Sequence, residues 1–248
     1  VVMVGSARRL SLQFAAAAVV LNAVSLLLRL VNLAMGHSVA DADRPGWAHL
    51  PGLSALSTDF EANVPTWFTA SLLVLCAAAC RGAGLLSSTR DGRQGRVWTL
   101  LAIGCAAASL DELLKVHERL EPHARQALDQ GSPLMVVALS GAAVVLVALS
   151  VVGVRLLHRL PRTTRRLVAL AGAIYLGAVL GLDAVNGWLA DLLTVDSVSY
   201  ILVSSSEELL EMLAVTLLFF AASSHAAALG RAPASTQCVE APHQPVSR

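Results

Sequence analysis

Charge is scarce in this sequence. Only 14% of its 248 residues are Asp, Glu, Lys or Arg, where a soluble domain of this size carries about a quarter. The formal net charge is +1, so no basic surface points to nucleic acid. Cysteine is also sparse. Four of them build no disulfide framework, and Cys76, Cys80 and Cys105 fall inside apolar runs, where cysteine is an ordinary small packing residue. Cys76 and Cys80 do share a helix face at i, i+4. No internal repeat is visible, so the inverted-repeat signature of many transporters is missing.

What the chain has is hydrophobicity. Apolar residues make up 56%, the mean hydropathy is +0.66, and runs of about 20 or more apolar residues recur along it. These features predict an all-α integral membrane protein, a bundle of about six transmembrane helices, with membrane lipids as its surroundings. The spans fall at about 10–35, 64–86, 97–120, 133–157, 167–190 and 199–224. Each covers a hydrocarbon core of about 30 Å at 1.5 Å per residue. Arg8 and Arg9 followed by an apolar run, with Ser38-Val39-Ala40 after it, imitate a signal peptide. The run of about 24 residues is too long for one and reads as a retained span. Residues 1–228 form the transmembrane domain, and 229–248, rich in Ala, Pro, Ser and Gln, read as a disordered cytoplasmic tail.

Span ends carry their own chemistry. Asn63 with Pro65, and Ser132 with Pro133, are a helix cap followed by an early proline. Trp67, Trp98, Trp188 and Tyr200 sit where amphipathic rings prefer the interface. Ala173, Gly177 and Gly181 form a stripe of small residues that predicts close helix packing. Arginines sort by loop. Arg8 and Arg9 precede span 1, Arg81, Arg90, Arg93 and Arg96 follow span 2, and Arg155, Arg159, Arg162, Arg165 and Arg166 follow span 4. The positive-inside rule then places both termini in the cytoplasm of a plasma-membrane protein.

The informative residues are the charges within spans. Span 3 has Ser109-Leu110-Asp111-Glu112 and then His117-Glu118, and span 6 has Glu207, Glu208 and Glu211. Span 5 has Asp183 and Asn186, the mouth of span 2 has Glu61, and span 1 has Asn22, Arg29 and Asn32. Span 4 has no charge from Pro133 to Val154 and reads as a lipid-facing helix. With span 3 ending near 120, Asp111 and Glu208 each lie roughly 14 Å below the outer surface, and Asp183 roughly 10 Å. An ionised acid at the bilayer centre costs about 2.5–3.5 kcal/mol. Five or six, unpaired, would cost on the order of 15 kcal/mol. Arg29, Lys115 and Arg119 cannot neutralise them all, so the acids are protonated, bind a cation, or face a water-filled cavity.

Carboxylates with an imidazole suit iron, manganese or zinc better than a soft metal. Asp111, His117, Glu118, Glu208, Glu211 and Glu61 are the candidate ligands of such a divalent metal. Glu112, Asp183, Asn186, Glu207 and Arg29 line the same outward-facing cavity. Its expected chemistry is redox or hydrolytic, on a small or lipidic substrate. The alternatives are proton- or cation-coupled transport, or a structural or sensor partner without catalysis. Di-iron bundles carry paired Glu-x-x-His motifs, and this chain has none.

Three segments resemble a pattern of uncharacterised bacterial multi-pass membrane proteins: Glu61-Ala62-Asn63-Val64-Pro65-Thr66-Trp67, then Ser109-Leu110-Asp111-Glu112 with His117-Glu118, then Glu207-Glu208 with Glu211-Met212. The resemblance covers spans 2 to 6 and implies fold and topology, with no activity attached. Membrane hydrolases related to alkaline ceramidase pair a zinc site with a late His-x-x-x-His, which span 6 lacks.

Overall fold

The computed structural model describes residues 2–36, 63–115 and 130–231, with Leu56, Gln126 and Ala127, and omits the side chains of 2–4, 139, 141–143 and 145–150. Among the described residues the chain is helical and has no strand. The helices are α1 (Val2–Ala34), α2 (Val64–Ser88), α3 (Gly92–Leu114), α4 (Pro133–Leu157), α5 (Arg162–Leu176), α6 (Asp183–Leu192) and α7 (Val198–Arg231). A π-helical stretch, Gly177–Leu182, joins α5 to α6, so Arg162–Leu192 runs as one 31-residue rod. Five rods are long and apolar enough to cross a membrane: the first (from Gly5 to Ala34), α2, α3, the α5–α6 rod and α7.

Local chemistry explains several ends. Asn63 Oδ1 accepts from the Thr66 N–H at 2.7 Å, with Pro65 in the first turn. Ser132 Oγ accepts from the Met135 N–H at 3.4 Å. Both caps stand where the sequence places them. Asp91 caps α3 by accepting from the Arg93 N–H at 2.8 Å. The far end of α3 differs from expectation. Lys115 turns into the left-handed region (φ 50, ψ 44) and its N–H closes on Asp111 O. That conformation breaks the helical ladder, so the described helix stops at Leu114 rather than near 120.

Packing is organised by α7, which touches α1, α2, α5 and α6. The closest pair is the α2–α3 hairpin. There a Cβ built on Gly84 would lie 3.3 Å from Gly95 O, and one on Gly95 would lie 2.0 Å from Ser88 Oγ. Glycine at both positions lets the two backbones approach. The core gathers Leu72, Cys76 and Cys80 of α2, Val97, Trp98 and Cys105 of α3, and Val215 and Ala222 of α7. Helix α4 contacts α3 and α5 only lightly. Its Leu134, Val137, Val144 and Val154 are exposed, as suits a lipid-facing helix.

Two sequence expectations fail here. Trp98 is not an interfacial ring. It is fully buried and stacks on His225 with centroids 5.2 Å apart, and Ser87 Oγ lies 3.2 Å from His225 Nε2. Trp67 and Trp188 are exposed as expected. The stripe Ala173, Gly177 and Gly181 points outward, and a Cβ on either glycine would meet nothing within 4 Å. Instead, Val168, Ala171 and Ala178 face inward. A π turn carries an extra residue, so residues beyond it sit on a face that α-helical periodicity does not give.

Candidate functional site

Helix α1 presents a polar seam. Asn22, Ser25, Arg29 and Asn32, spaced 3, 4 and 3 apart, are all buried. Such spacing lines up one stripe of a helix, and the stripe meets α7. Asn22 Nδ2 donates to Ser205 O at 2.7 Å. Arg29 Nη1 donates to the hydroxyls of Ser204 at 3.4 Å and Ser205 at 3.5 Å. Few places in an apolar bundle tolerate a fully buried guanidinium, and this one supplies hydroxyls and, one turn further along α7, carboxylates.

Those carboxylates are Glu207, Glu208 and Glu211, each half-buried. Glu208 lies in electrostatic range of Glu112 and Lys115 at the end of α3, of Glu207, and of Arg29. Glu211 lies in range of Glu208, Glu112, Glu207 and Lys115. Asn186 of α6 is buried and its side-chain amide donates to the Glu207 carboxylate. Of the expected site residues, Glu112, Glu207, Glu211 and Arg29 are thus within electrostatic range of Glu208, and Asn186 reaches Glu207. Because Lys115 ends α3, Asp111 and Glu112 sit in its last turn, whereas Glu208 is about 15 Å into α7. Carboxylates at a helix C-terminus face the negative end of the macrodipole, and Lys115 is the adjoining base.

The remaining candidates are spread. Asp183 is exposed and lines a polar groove of about 450 Å³ with Asp191, Asn186 and Tyr200. It joins the Glu207 side of the site only through Asn186. Asp111 is in electrostatic range of Tyr175. Glu61, His117 and Glu118 lie outside the described residues. Helix α1 contributes Arg29, the base the sequence reading placed with these acids, and it lies in electrostatic range of Glu208.

A second constellation was read from sequence chiefly as packing, with a metal or redox role for Cys76 and Cys80 as the minor reading. Cys76 and Cys80 of α2 and Cys105 of α3 bring their sulfurs within 4.8 Å of one another, with Cys105 Sγ 3.8 Å from Cys76 Sγ. All three are free and buried. Among the described residues they are the one set of three His, Cys, Asp or Glu donors close enough to share a metal ion. The signal available in the sequence was the i, i+4 pair. The partner on α3 becomes visible only once α2 and α3 pair. A mostly apolar cavity of about 210 Å³ opens beside Cys105, walled by Leu101, Gly104, Ala108, Tyr175 and Leu218. Tyr175 is in electrostatic range of Cys105 as well as of Glu211, Glu112 and Asp111.

No curated protein and no solved structure matches the chain. A family model does: it covers residues 12–226, from within α1 to the last turns of α7, and the chain belongs to that family, described as a domain of unknown function (DUF8692).

Proposed function

We propose that the chain is a six-span plasma-membrane protein with cytoplasmic termini, whose outward-facing acidic site binds a divalent cation. Iron, manganese and zinc fit best, and the site supports redox or hydrolytic chemistry on a small or lipidic substrate. The five apolar rods support membrane residence. Helix α4, 25 residues long and without a charge from Pro133 to Val154, is the sixth span. Arginine-rich loops set the orientation.

The observation that carries this reading is a charge imbalance at the α3–α7 junction. Glu112, Glu207, Glu208 and Glu211 stand against Lys115 and Arg29. Among these described residues four acids and two bases leave two negative charges in a half-buried setting, where unbalanced charge is costly. One divalent cation balances them. Oxygen donors select hard or borderline ions, and Glu208 with Glu211, at i, i+3, can turn to one ion. Glu61, His117 and Glu118 would complete the ligand set. Bound there, the metal would act as a Lewis acid or electron carrier, with Arg29 placed to hold an anionic substrate group.

Two protons balance the same charge, so proton-coupled transport is the second reading. The two separate in one experiment. Protein purified in detergent is titrated with Mn²⁺, and free ion is followed by electron paramagnetic resonance. The metal reading predicts one bound Mn²⁺ per chain, with affinity falling as acid protonates the carboxylates. Glu208→Gln should weaken it by at least about tenfold, since even second-shell partners are worth about 10–100-fold. Absence of Mn²⁺ binding, with proton uptake into liposomes that Glu208→Gln abolishes, would establish the transport reading instead.

A further inference from the structure

The geometry points to a second metal site, built of sulfur alone: Cys76, Cys80 and Cys105 form a three-coordinate site for a soft, thiophilic metal ion, for which Cu(I) is the best match. It shares no residue with the carboxylate site and does not depend on that reading.

The first argument is spacing. A metal about 2.3 Å from each of three sulfurs in a plane holds those sulfurs about 4.0 Å apart. In the chain the three sulfurs lie within 4.8 Å of one another, and Cys105 and Cys76 are separated by 3.8 Å. An ion can enter without backbone movement. Two helices set this distance. Cys76 and Cys80 are one turn apart on α2. The tight α2–α3 approach around Gly84 and Gly95, with Ser109 Oγ donating to Ala70 O at 3.0 Å, grips α3 on both sides of Cys105.

The second argument is donor chemistry. Among the described residues no histidine or carboxylate joins the trio. Thiolates select Cu(I) and zinc over hard ions. Structural zinc takes four ligands, whereas Cu(I) is content with three sulfurs. Each sulfur that becomes a thiolate gives one proton to solvent, so affinity rises with pH. The copper stays Cu(I) throughout, and no electron is exchanged.

The third argument is access. Here Cys105 borders the cavity of about 210 Å³, and Gly104 leaves its wall without a side chain. The ion can reach the sulfurs from the α3–α5–α7 side.

The test is an anaerobic Cu(I) titration of detergent-purified protein against bicinchoninate. A Cys238→Ser background removes the thiol in the tail. The expected result is one Cu(I) retained per chain, with thiolate-to-copper absorbance in the ultraviolet. Affinity should fall at least about 100-fold in Cys76→Ala and in Cys105→Ala and stay unchanged in Glu208→Gln. X-ray absorption at the copper edge of the unsubstituted trio, which needs no core variant to fold, should show a sulfur-only first shell of three. Three outcomes overturn the proposal: no Cu(I) retained by monodisperse protein, binding that survives replacement of all three cysteines by alanine, or a first shell containing oxygen or nitrogen.

Discussion

At the scale of single residues, Arg29 shows how an apolar helix bundle places a charge. Burying a guanidinium is costly unless it is hydrogen-bonded and electrically matched. Ser204 and Ser205 provide the hydrogen bonds, and Glu208 provides charge. Removing one member leaves the other as an uncompensated buried charge. Arg29→Met is therefore expected to lower stability by about 3–5 kcal/mol, read as a loss of melting temperature in detergent. Arg29→Met combined with Glu208→Gln should recover most of that loss, and simple additivity of the two would show that the groups are uncoupled. Arg29 was identifiable from sequence because it is a lone base among apolar residues, and Asn22 because interhelical amide bonds are its usual role. Trp98 was not. Its position at a span end reads as interfacial, and only the arrival of His225 from α7 buries it.

Elements were easier to read than their contacts. Helix starts at Val64 and Pro133 follow from short-range capping, which depends on three or four adjacent residues. The end of α3 depends on one left-handed residue, Lys115, and lysine carries no sequence mark for that conformation. The outward face of Gly177 and Gly181 depends on which side of the rod packs inward, and Val168, Ala171 and Ala178 take that side. The α2–α3 hairpin yields a prediction at this scale. A methyl group on Gly95 would press on Ser88 Oγ, which donates to Gly84 O at 2.8 Å. Gly95→Ala should cost about 1–3 kcal/mol by overpacking, measured by thermal unfolding in detergent. Adding Ser88→Gly should restore part of it. If Gly95→Ala unfolds like the unaltered protein, the hairpin is looser than its glycines indicate.

For the whole molecule, α7 is the organising element. It is 34 residues and about 50 Å long, and it meets α1, α2, α5 and α6. Its first half carries the carboxylates, and its second half carries Val215, Ala221, Ala222 and His225 of the core. Composition was enough to establish helices of membrane length. The acids of spans 3 and 6 stood out in the sequence because charges inside apolar runs demand an explanation. The cysteine trio could not, since Cys76 and Cys105 are 29 residues apart and meet only through tertiary packing. The two proposals assign two chemistries to one bundle, oxygen donors at the α3–α7 junction and sulfur donors between α2 and α3.

Metal content tests that central division most directly. Protein is purified in detergent without chelator and analysed by mass spectrometry as wild type, Glu208→Ala, His117→Ala and Cys105→Ala. The account predicts near-stoichiometric iron, manganese or zinc in the wild type. That metal should be lost in Glu208→Ala and His117→Ala and retained in Cys105→Ala. A well-folded wild type that holds none of these metals, even after each is added, would contradict the carboxylate site. So would a divalent metal that leaves with Cys105 and stays when Glu208 is gone.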